Sequence, residues 1–128
     1  MNLLLDTHAF YWWDQEPAKL SAAASAAISD PANAVFISVV NVWEIVLKTG
    51  IGKMTLQDPI DLLVDRQCAT NGFQLLPIEY RHVLALQGLP YHHRDPFDRI
   101  LMAQAIADTL TIVTCDPLFA NYPVVTLW

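Results

Sequence analysis

The sequence predicts an α/β fold in which a central, mainly parallel sheet of four to five strands is flanked by helices. Two patterns point there. Short apolar runs without polar alternation, such as Asn2 to Leu5 and Thr111 to Thr114, read as strands buried on both faces. Longer stretches with helical signals separate them, and strands alternating with helices imply parallel pairing. The composition agrees: 128 residues, 54% hydrophobic and 16% charged, suffice to bury one core, so a single domain over residues 1–128 is expected.

The first strand stops at Asp6, and Thr7 to Trp13 opens a helix. Leu20 to Ile28 is Ala-rich and helix-forming, ending near Asp30 and Pro31. Ala34 to Ile37 reads as the second strand. Ser38 is then placed to cap a helix from Val39 to about Thr49, in which Val39, Val42, Trp43 and Val46 fall at i, i+3, i+4 and i+7, with Gly50 as the expected C-cap. Asp58 followed by Pro59 predicts a capped helix from Pro59 to Thr70, closed by Asn71 and Gly72. Phe73 to Leu76 is a third strand and Glu79 to Leu86 a helix that ends before Gly88 and Pro90. Asp95 and Pro96 repeat the cap-plus-proline start for a helix reaching about Thr109. Thr111 to Thr114 is the fourth strand, Pro117 to Ala120 a single turn, and Val124 to Thr126 a short strand at the sheet edge.

Several classes are excluded. No apolar run reaches the roughly 18 residues of a membrane span, and the start lacks the basic n-region of a signal peptide, which predicts a cytoplasmic protein. Cys68 and Cys115 form no CxxC pair and are expected as buried small hydrophobes, without a disulfide or zinc site. The only glycines are Gly50, Gly52, Gly72 and Gly88, so nucleotide-binding fingerprints are absent. Trp12, Trp13, Trp43 and Trp128 are expected in the core or at a subunit interface, the alternative being stacking on unpaired bases.

In open parallel sheets, ligands bind beyond the carboxyl ends of the strands where strand order reverses. Asp6 follows strand one and Asp116 lies two residues after strand four, while Glu44 and Asp98 sit on helices that begin near that end. Asp98 continues the apolar stripe Leu101, Met102 and Ala105, a costly place for a charge unless something compensates it. Each acid also has an ordinary explanation. Asp98 fits the N3 position of a capping box begun by Asp95, Glu44 fits an i,i+4 surface pair with Lys48, Asp116 fits a turn cap, and Asp6 fits a polar strand end. Taken together, four acids from four segments at one end of one sheet would repel one another unless a cation joined them.

Oxygen-only ligands suit Mg2+ or Mn2+, ions that polarise a phosphodiester, activate water and stabilise the leaving oxygen. The net charge of −6 opposes nucleic-acid binding, but with four acids serving as ligands the rest of the chain carries seven basic against nine acidic residues. Lys48, Lys53, Arg94 and Arg99 lie close to the acidic motifs; Arg94 and Arg99 either touch substrate phosphate or are surface charges paired near Asp95. Thr114 and Asn41 either orient the carboxylates or are purely structural. His8, His92 and His93 are conceivable acid–base groups, although a metal activates water without them.

Leu-Leu-Asp-Thr-His at 4–8, Val-Trp-Glu-Ile at 42–45, the run from His93 to Ala105 and Val-Thr-Cys-Asp at 113–116 together resemble the PIN-domain ribonucleases, and within them the VapC-like toxins of toxin–antitoxin pairs. The resemblance spans the whole chain. It implies a PIN-like three-layer fold, Asp6, Glu44 and Asp98 as the main acidic catalytic and metal-binding residues with Asp116 as the fourth, and cleavage of RNA, a preference that rests on the family alone. It further implies homodimerisation and a cognate antitoxin that blocks the acidic groove. Two rivals are an inert PIN-like module that only binds RNA or protein, and a phosphotransfer domain with an aspartyl nucleophile at Asp6. The latter pattern wants a second Asp where this chain has His8.

Overall fold

The computed structural model describes residues 1–92 and 94–128. Among the described residues, the strands are β1 (Asn2–Leu5), β2 (Ala34–Ser38), β3 (Gln74–Leu76), β4 (Thr111–Val113) and β5 (Val125–Leu127). They form one sheet in the order β3-β2-β1-β4-β5, with every neighbouring pair parallel. The helices are α1 (Thr7–Gln15), α2 (Ala22–Ser29), α3 (Val39–Gly50), α4 (Ile60–Asn71), α5 (Tyr80–Ala85) and α6 (Pro96–Asp108), with 3-10 turns at Pro17–Lys19, Leu86–Gly88 and Pro117–Asn121. The expected α/β class and central parallel sheet are therefore found, and the sheet has five strands.

β1 explains why the sheet is covered twice. Leu4 pairs with Phe36 on one side and Ile112 on the other, and Leu3, Leu4 and Leu5 are all fully buried. Successive side chains point to opposite faces. Leu3 and Leu5 pack into a core with Phe10, Ala24, Ile37 and Leu63. Leu4 packs into a second core with Leu101, Met102, Ile112 and Phe119. Full burial stabilises each leucine by roughly 1.5–3 kcal/mol, so this run ties both layers together.

α3 corrects the expected face. The stripe Val39, Val42, Trp43 and Val46 points outward, with Trp43 58% and Val46 50% exposed, whereas Val40, Asn41, Glu44 and Ile45 are buried. Trp13 and Trp12 pack against the core, the first of the two places expected for the tryptophans; Trp43 does not, and its ring meets the edge of Phe97 at 4.8 Å between ring centroids. Gly50 is the last helical residue rather than the cap; Gly52 instead adopts the left-handed conformation, φ +76°, that turns the chain back.

Asp58 does not cap α4. Its carboxylate accepts from Arg66 at 2.9 Å, leaving Pro59 at the N-cap without a side-chain bond. Gly72 closes α4 at φ +68° and Asp95 caps α6, both as expected. Cys68 is only half-buried and Cys115 is exposed, so neither is the buried hydrophobe expected. Among the described residues, no helix is long and apolar enough to cross a membrane.

Strand order moves outward from β1 in both directions, to β2 and β3 on one side and to β4 and β5 on the other. The reversal point thus lies between β1 and β4, and a crevice is expected beyond their carboxyl ends.

Candidate active site

A cleft of about 470 Å³ lies at that point, and Asp6, Glu44, Asp98 and Asp116 all line it. The topology accounts for two of the four directly. Asp6 leaves the end of β1, its backbone N–H donating to the carbonyl of Val113 on β4 at 3.1 Å. Asp116 follows two residues after β4. Helices α3 and α6 deliver Glu44 and Asp98.

Asp6 is buried and held from two sides. Its Oδ1 accepts from the Ala9 N–H at 2.7 Å, capping α1, and the Thr114 hydroxyl hydrogen-bonds its carboxylate. Burial pushes the Asp6 carboxyl above the ordinary aspartate value; the bonds from Thr114 and Ala9 and the nearby His8 oppose this, while the charge of Asp116 adds to it. Thr114 Oγ1 also accepts from the Asp116 N–H at 3.1 Å, so one buried hydroxyl fixes the spacing of two acids. Asp116 Oδ1 in turn caps the turn Pro117–Asn121 through the Leu118 N–H at 2.9 Å.

Glu44 sits at the end of a buried polar chain. The Thr7 hydroxyl donates to Glu44 Oε1 at 2.6 Å, and Asn41 Nδ2 donates to Thr7 Oγ1 at 3.2 Å. Asn41 Oδ1 accepts from the Ser38 N–H at 2.7 Å, and the Ser38 hydroxyl donates to Gln104 Oε1 at 2.7 Å. The chain thus runs from α6 across the start of α3 to the cleft. Glu44 Oε2 pairs with Lys48 Nζ at 2.7 Å; the expected i,i+4 pair is present, but it is not a surface pair, because the Glu44 side chain is only 5% exposed.

Asp98 is half-buried in the first turn of α6, and Asp95 beside it does the capping, accepting from the N–H groups of Phe97 at 2.9 Å and Asp98 at 3.4 Å. The two arginines lie elsewhere. Arg99 is buried with its guanidinium donating to the carbonyls of Pro90 at 2.7 Å and Leu89 at 3.5 Å and resting 4.2 Å from the ring of Tyr91. Arg94 is exposed and lines a separate hollow with Arg99, Leu86, Tyr91 and Pro96. Expected as phosphate contacts or surface charges, they stand apart from the acidic cleft, and Arg99 is a packing clamp.

His8 lines the cleft, its ring 5.5 Å from that of Trp12, whereas His92 packs against Tyr122 and does not line it. His93 lies outside the described residues. Thr7 is the site residue that sequence reasoning missed; its signal was its place directly after Asp6, at the first position of a helix. Cys115, expected in the core, also lines the cleft.

The sequence profile of the PIN domain matches residues 3–125. The chain belongs to the PIN domain family. This PIN domain is VapC-like, being 30% identical over 116 residues to ribonuclease VapC22 of Mycobacterium tuberculosis, a match covering 90% of this chain and 87% of that protein. Its fold is similar to VapBC2 from Rickettsia felis bound to a DNA fragment from its promoter, with a TM-score of 0.73 and 14% identity over 99% of this chain and 98% of the other. DNA-bound VapBC from Salmonella typhimurium gives a TM-score of 0.64 at 14% identity, covering 99% and 97% of the two chains. FitAcB from Neisseria gonorrhoeae gives 0.59 at 20% identity, covering 98% and 96%.

The donor set of this PIN domain fits a hard divalent cation in chemistry and charge. All four candidate ligands are carboxylates, and Asp6 is held buried beside the like charge of Asp116. In distance the fit is incomplete. Among the described residues, no three acidic, histidine or cysteine side chains converge closely enough to hold an ion as they stand, and Lys48 takes up Glu44 Oε2.

Proposed function

We propose that this PIN domain is a divalent-metal-dependent endoribonuclease, the toxin of a toxin–antitoxin pair, that hydrolyses RNA phosphodiester bonds in the acidic cleft with Mg2+ or Mn2+. The observation that carries the reading is the arrival of four acids from four segments in one cleft at the reversal point of the sheet. The similarity to a protein named ribonuclease VapC22 supports the activity, and the similarity of fold to VapBC complexes supports a cognate antitoxin partner. Homodimerisation and a cytoplasmic location belong to the same reading.

Asp6, Glu44, Asp98 and Asp116 would hold the ion. When bound, it supplies positive charge that polarises the phosphodiester and lowers the pKa of the attacking water. The protein's own contribution is position. Thr114 sets Asp6 against Asp116, and Thr7, braced by Asn41, turns Glu44 towards the cleft. Lys48 neutralises Glu44, and on release from it would face the phosphate as a point charge. Water then attacks phosphorus and the displaced ribose oxygen leaves with a proton. Arg94 and Arg99 have no step here.

The test is cleavage of total cellular RNA by purified, antitoxin-free protein in EDTA, Mg2+ or Mn2+, with Asp98→Asn alongside. Metal-dependent cutting by the wild type and none by a folded variant is expected. A second reading, an RNA-binding module without catalysis, is favoured by the Lys48–Glu44 pair, which leaves Glu44 already neutralised. Folded wild-type protein that binds RNA but cuts with neither metal would select it.

A further inference from the structure

We propose that the hollow beside the acidic cleft is a track for single-stranded RNA, with phosphates on Lys19, Lys48 and Lys53 and a base against the Trp12–His8 face. The proposal rests on the ribonuclease reading above and specifies how its substrate enters. The hollow measures about 540 Å³, and His8, Trp12 and Lys48 line both it and the acidic cleft, so the two are continuous.

Charge placement makes the case. The chain is acidic overall and contains only three lysines, and all three line this one hollow. The arginines are engaged elsewhere: Arg66 with Asp14 and Asp58, Arg81 with Asp108 and Glu79, Arg99 with two carbonyls, and Arg94 beside it in the separate hollow. Lysine is a compact charge on a flexible stem, suited to following a phosphate backbone without reading sequence.

Two of the three lysines are also available, while Lys48 reaches a phosphate only on release from Glu44. Lys19 pairs with Glu16 at 3.0 Å, but both side chains are about half exposed, and such a pair exchanges easily for a phosphate. Lys53 has no ion-pair partner among the described residues. Its position is built: Gly52 at φ +76° reverses the chain after α3, the N–H groups of Lys53 and Met54 both donate to the Lys48 carbonyl at 2.8 and 3.2 Å, and the Tyr11 hydroxyl pins Thr55 at 2.8 Å. Lys53 is thereby folded back beside Lys48.

An aromatic platform distinguishes RNA from an acidic peptide as the occupant. The half-buried Trp12 ring lies 5.5 Å from His8 and 5.9 Å from Trp128, with Lys19 Nζ 5.8 Å from its centroid. Aromatic rings flanked by lysines are the recurring means of holding unpaired bases without sequence preference, and a duplex would not offer its base faces.

The experiment measures binding of a labelled ten-nucleotide, mixed-sequence RNA to wild-type protein in EDTA across a salt series, against Lys19→Ala/Lys53→Ala and Trp12→Leu. Both lysines are exposed, so the double variant should keep the fold. From a salt slope of about 0.7 per phosphate for single strands, two lost contacts lower the slope by about 1.4 and weaken binding roughly 14-fold near 0.15 M salt. Folded Trp12→Leu should lose at least about fivefold with an unchanged slope. In the cleavage assay the double variant should raise KM and leave kcat alone. Equal affinity and slope in the double variant, or loss of polyglutamate binding with RNA binding intact, would overturn the track. Lysine-dependent RNA binding by a wild type that cuts nothing would uphold the track and remove only the nuclease reading; wild-type protein that binds no RNA would remove both.

Discussion

Replacing Thr7 by valine tests whether the buried polar chain behind Glu44 has a functional role. Valine keeps the shape and removes one hydroxyl, which now donates to Glu44 Oε1 at 2.6 Å and accepts from Asn41 Nδ2 at 3.2 Å. Both partners are buried and, among the described residues, neither has a second hydrogen bond for the same atom. At about 1–3 kcal/mol for each buried group left unpaired, the change should cost roughly 2–6 kcal/mol of stability, to be set against the about 5–15 kcal/mol of an ordinary domain. The start of α3 should not fray, because Asn41 Oδ1 still accepts from the Ser38 N–H at 2.7 Å. Glu44, freed from its orienting donor, should lose about 10–100-fold in metal-dependent activity. Urea unfolding with an unchanged m-value gives the first quantity and RNA cleavage across a Mg2+ titration gives the second. Thr7→Ser is the control: it keeps the hydroxyl, and should keep activity while losing only about 1 kcal/mol for the methyl group. Wild-type metal dependence in Thr7→Val, or equal losses in the serine and valine variants, would refute the argument.

Other perturbations follow from the same contacts. The Arg81 hydrogen bond, helped by His82, holds the Asp108 carboxyl below the ordinary aspartate value of 3.8, so its stabilisation is complete above that value and is lost only as pH falls below it; Asp108→Asn should flatten the acid limb of a stability–pH curve, and a parallel curve would count against the pairing. Gly72→Ala meets no atom within 4 Å but must hold φ +68°, so it should destabilise by about 1 kcal/mol, read as a lower urea midpoint, and an unchanged midpoint would show that the α4 cap tolerates a side chain. If the four acids bind an ion in the native state only, Mg2+ at about 100 times its dissociation constant should add about 2.7 kcal/mol to stability. Glu44→Gln should lose most of that gain in a thermal scan, and an equal gain in the variant would place the ion elsewhere.

The parts of the fold that were legible are those where burial is uniform. Leu3, Leu4 and Leu5 need no alternation because both faces of β1 are covered, and β4 reads the same way through Ile112 and Val113. α3 misled because polar residues occupy part of its buried face. Asn41 and Glu44 occupy inward positions beside Val40 and Ile45, so the apolar stripe that survives in the sequence, Val39 to Val46, is the outward one. A helix whose best hydrophobic face points to solvent is itself a sign that its other face carries polar work. The placement of the four acids was legible from topology, as each follows a strand or sits on a helix that begins at one sheet end. Thr7 was not, since a threonine after an aspartate at a helix start is also ordinary capping chemistry. Asp58 misled because local pattern cannot register Arg66, eight residues away, competing for the same carboxylate.

On the ribonuclease reading proposed above, an acidic cleft must still attract a polyanion, and the division of basic residues would resolve that conflict. At physiological ionic strength charges are screened beyond about 8 Å, so the net charge of −6 matters less than what lies within that distance of the bound strand. Three of the four arginines are tied into carboxylates or carbonyls, where a planar fork holds structure together, whereas all three lysines face one hollow that opens into the cleft. On the proposed track, a strand lying on the lysines would be held before any phosphate meets the acids, and a bound ion would have to offset only the last step into the cleft. Lys48 joins the two regions, because it is at once the partner of Glu44 and a wall of the lysine hollow. Lys48→Ala should therefore weaken RNA binding and also strip Glu44 of its counter-charge, so its effect on RNA affinity, measured in a cycle with Glu44→Gln, should not be additive, and strict additivity would show that the two regions are unconnected.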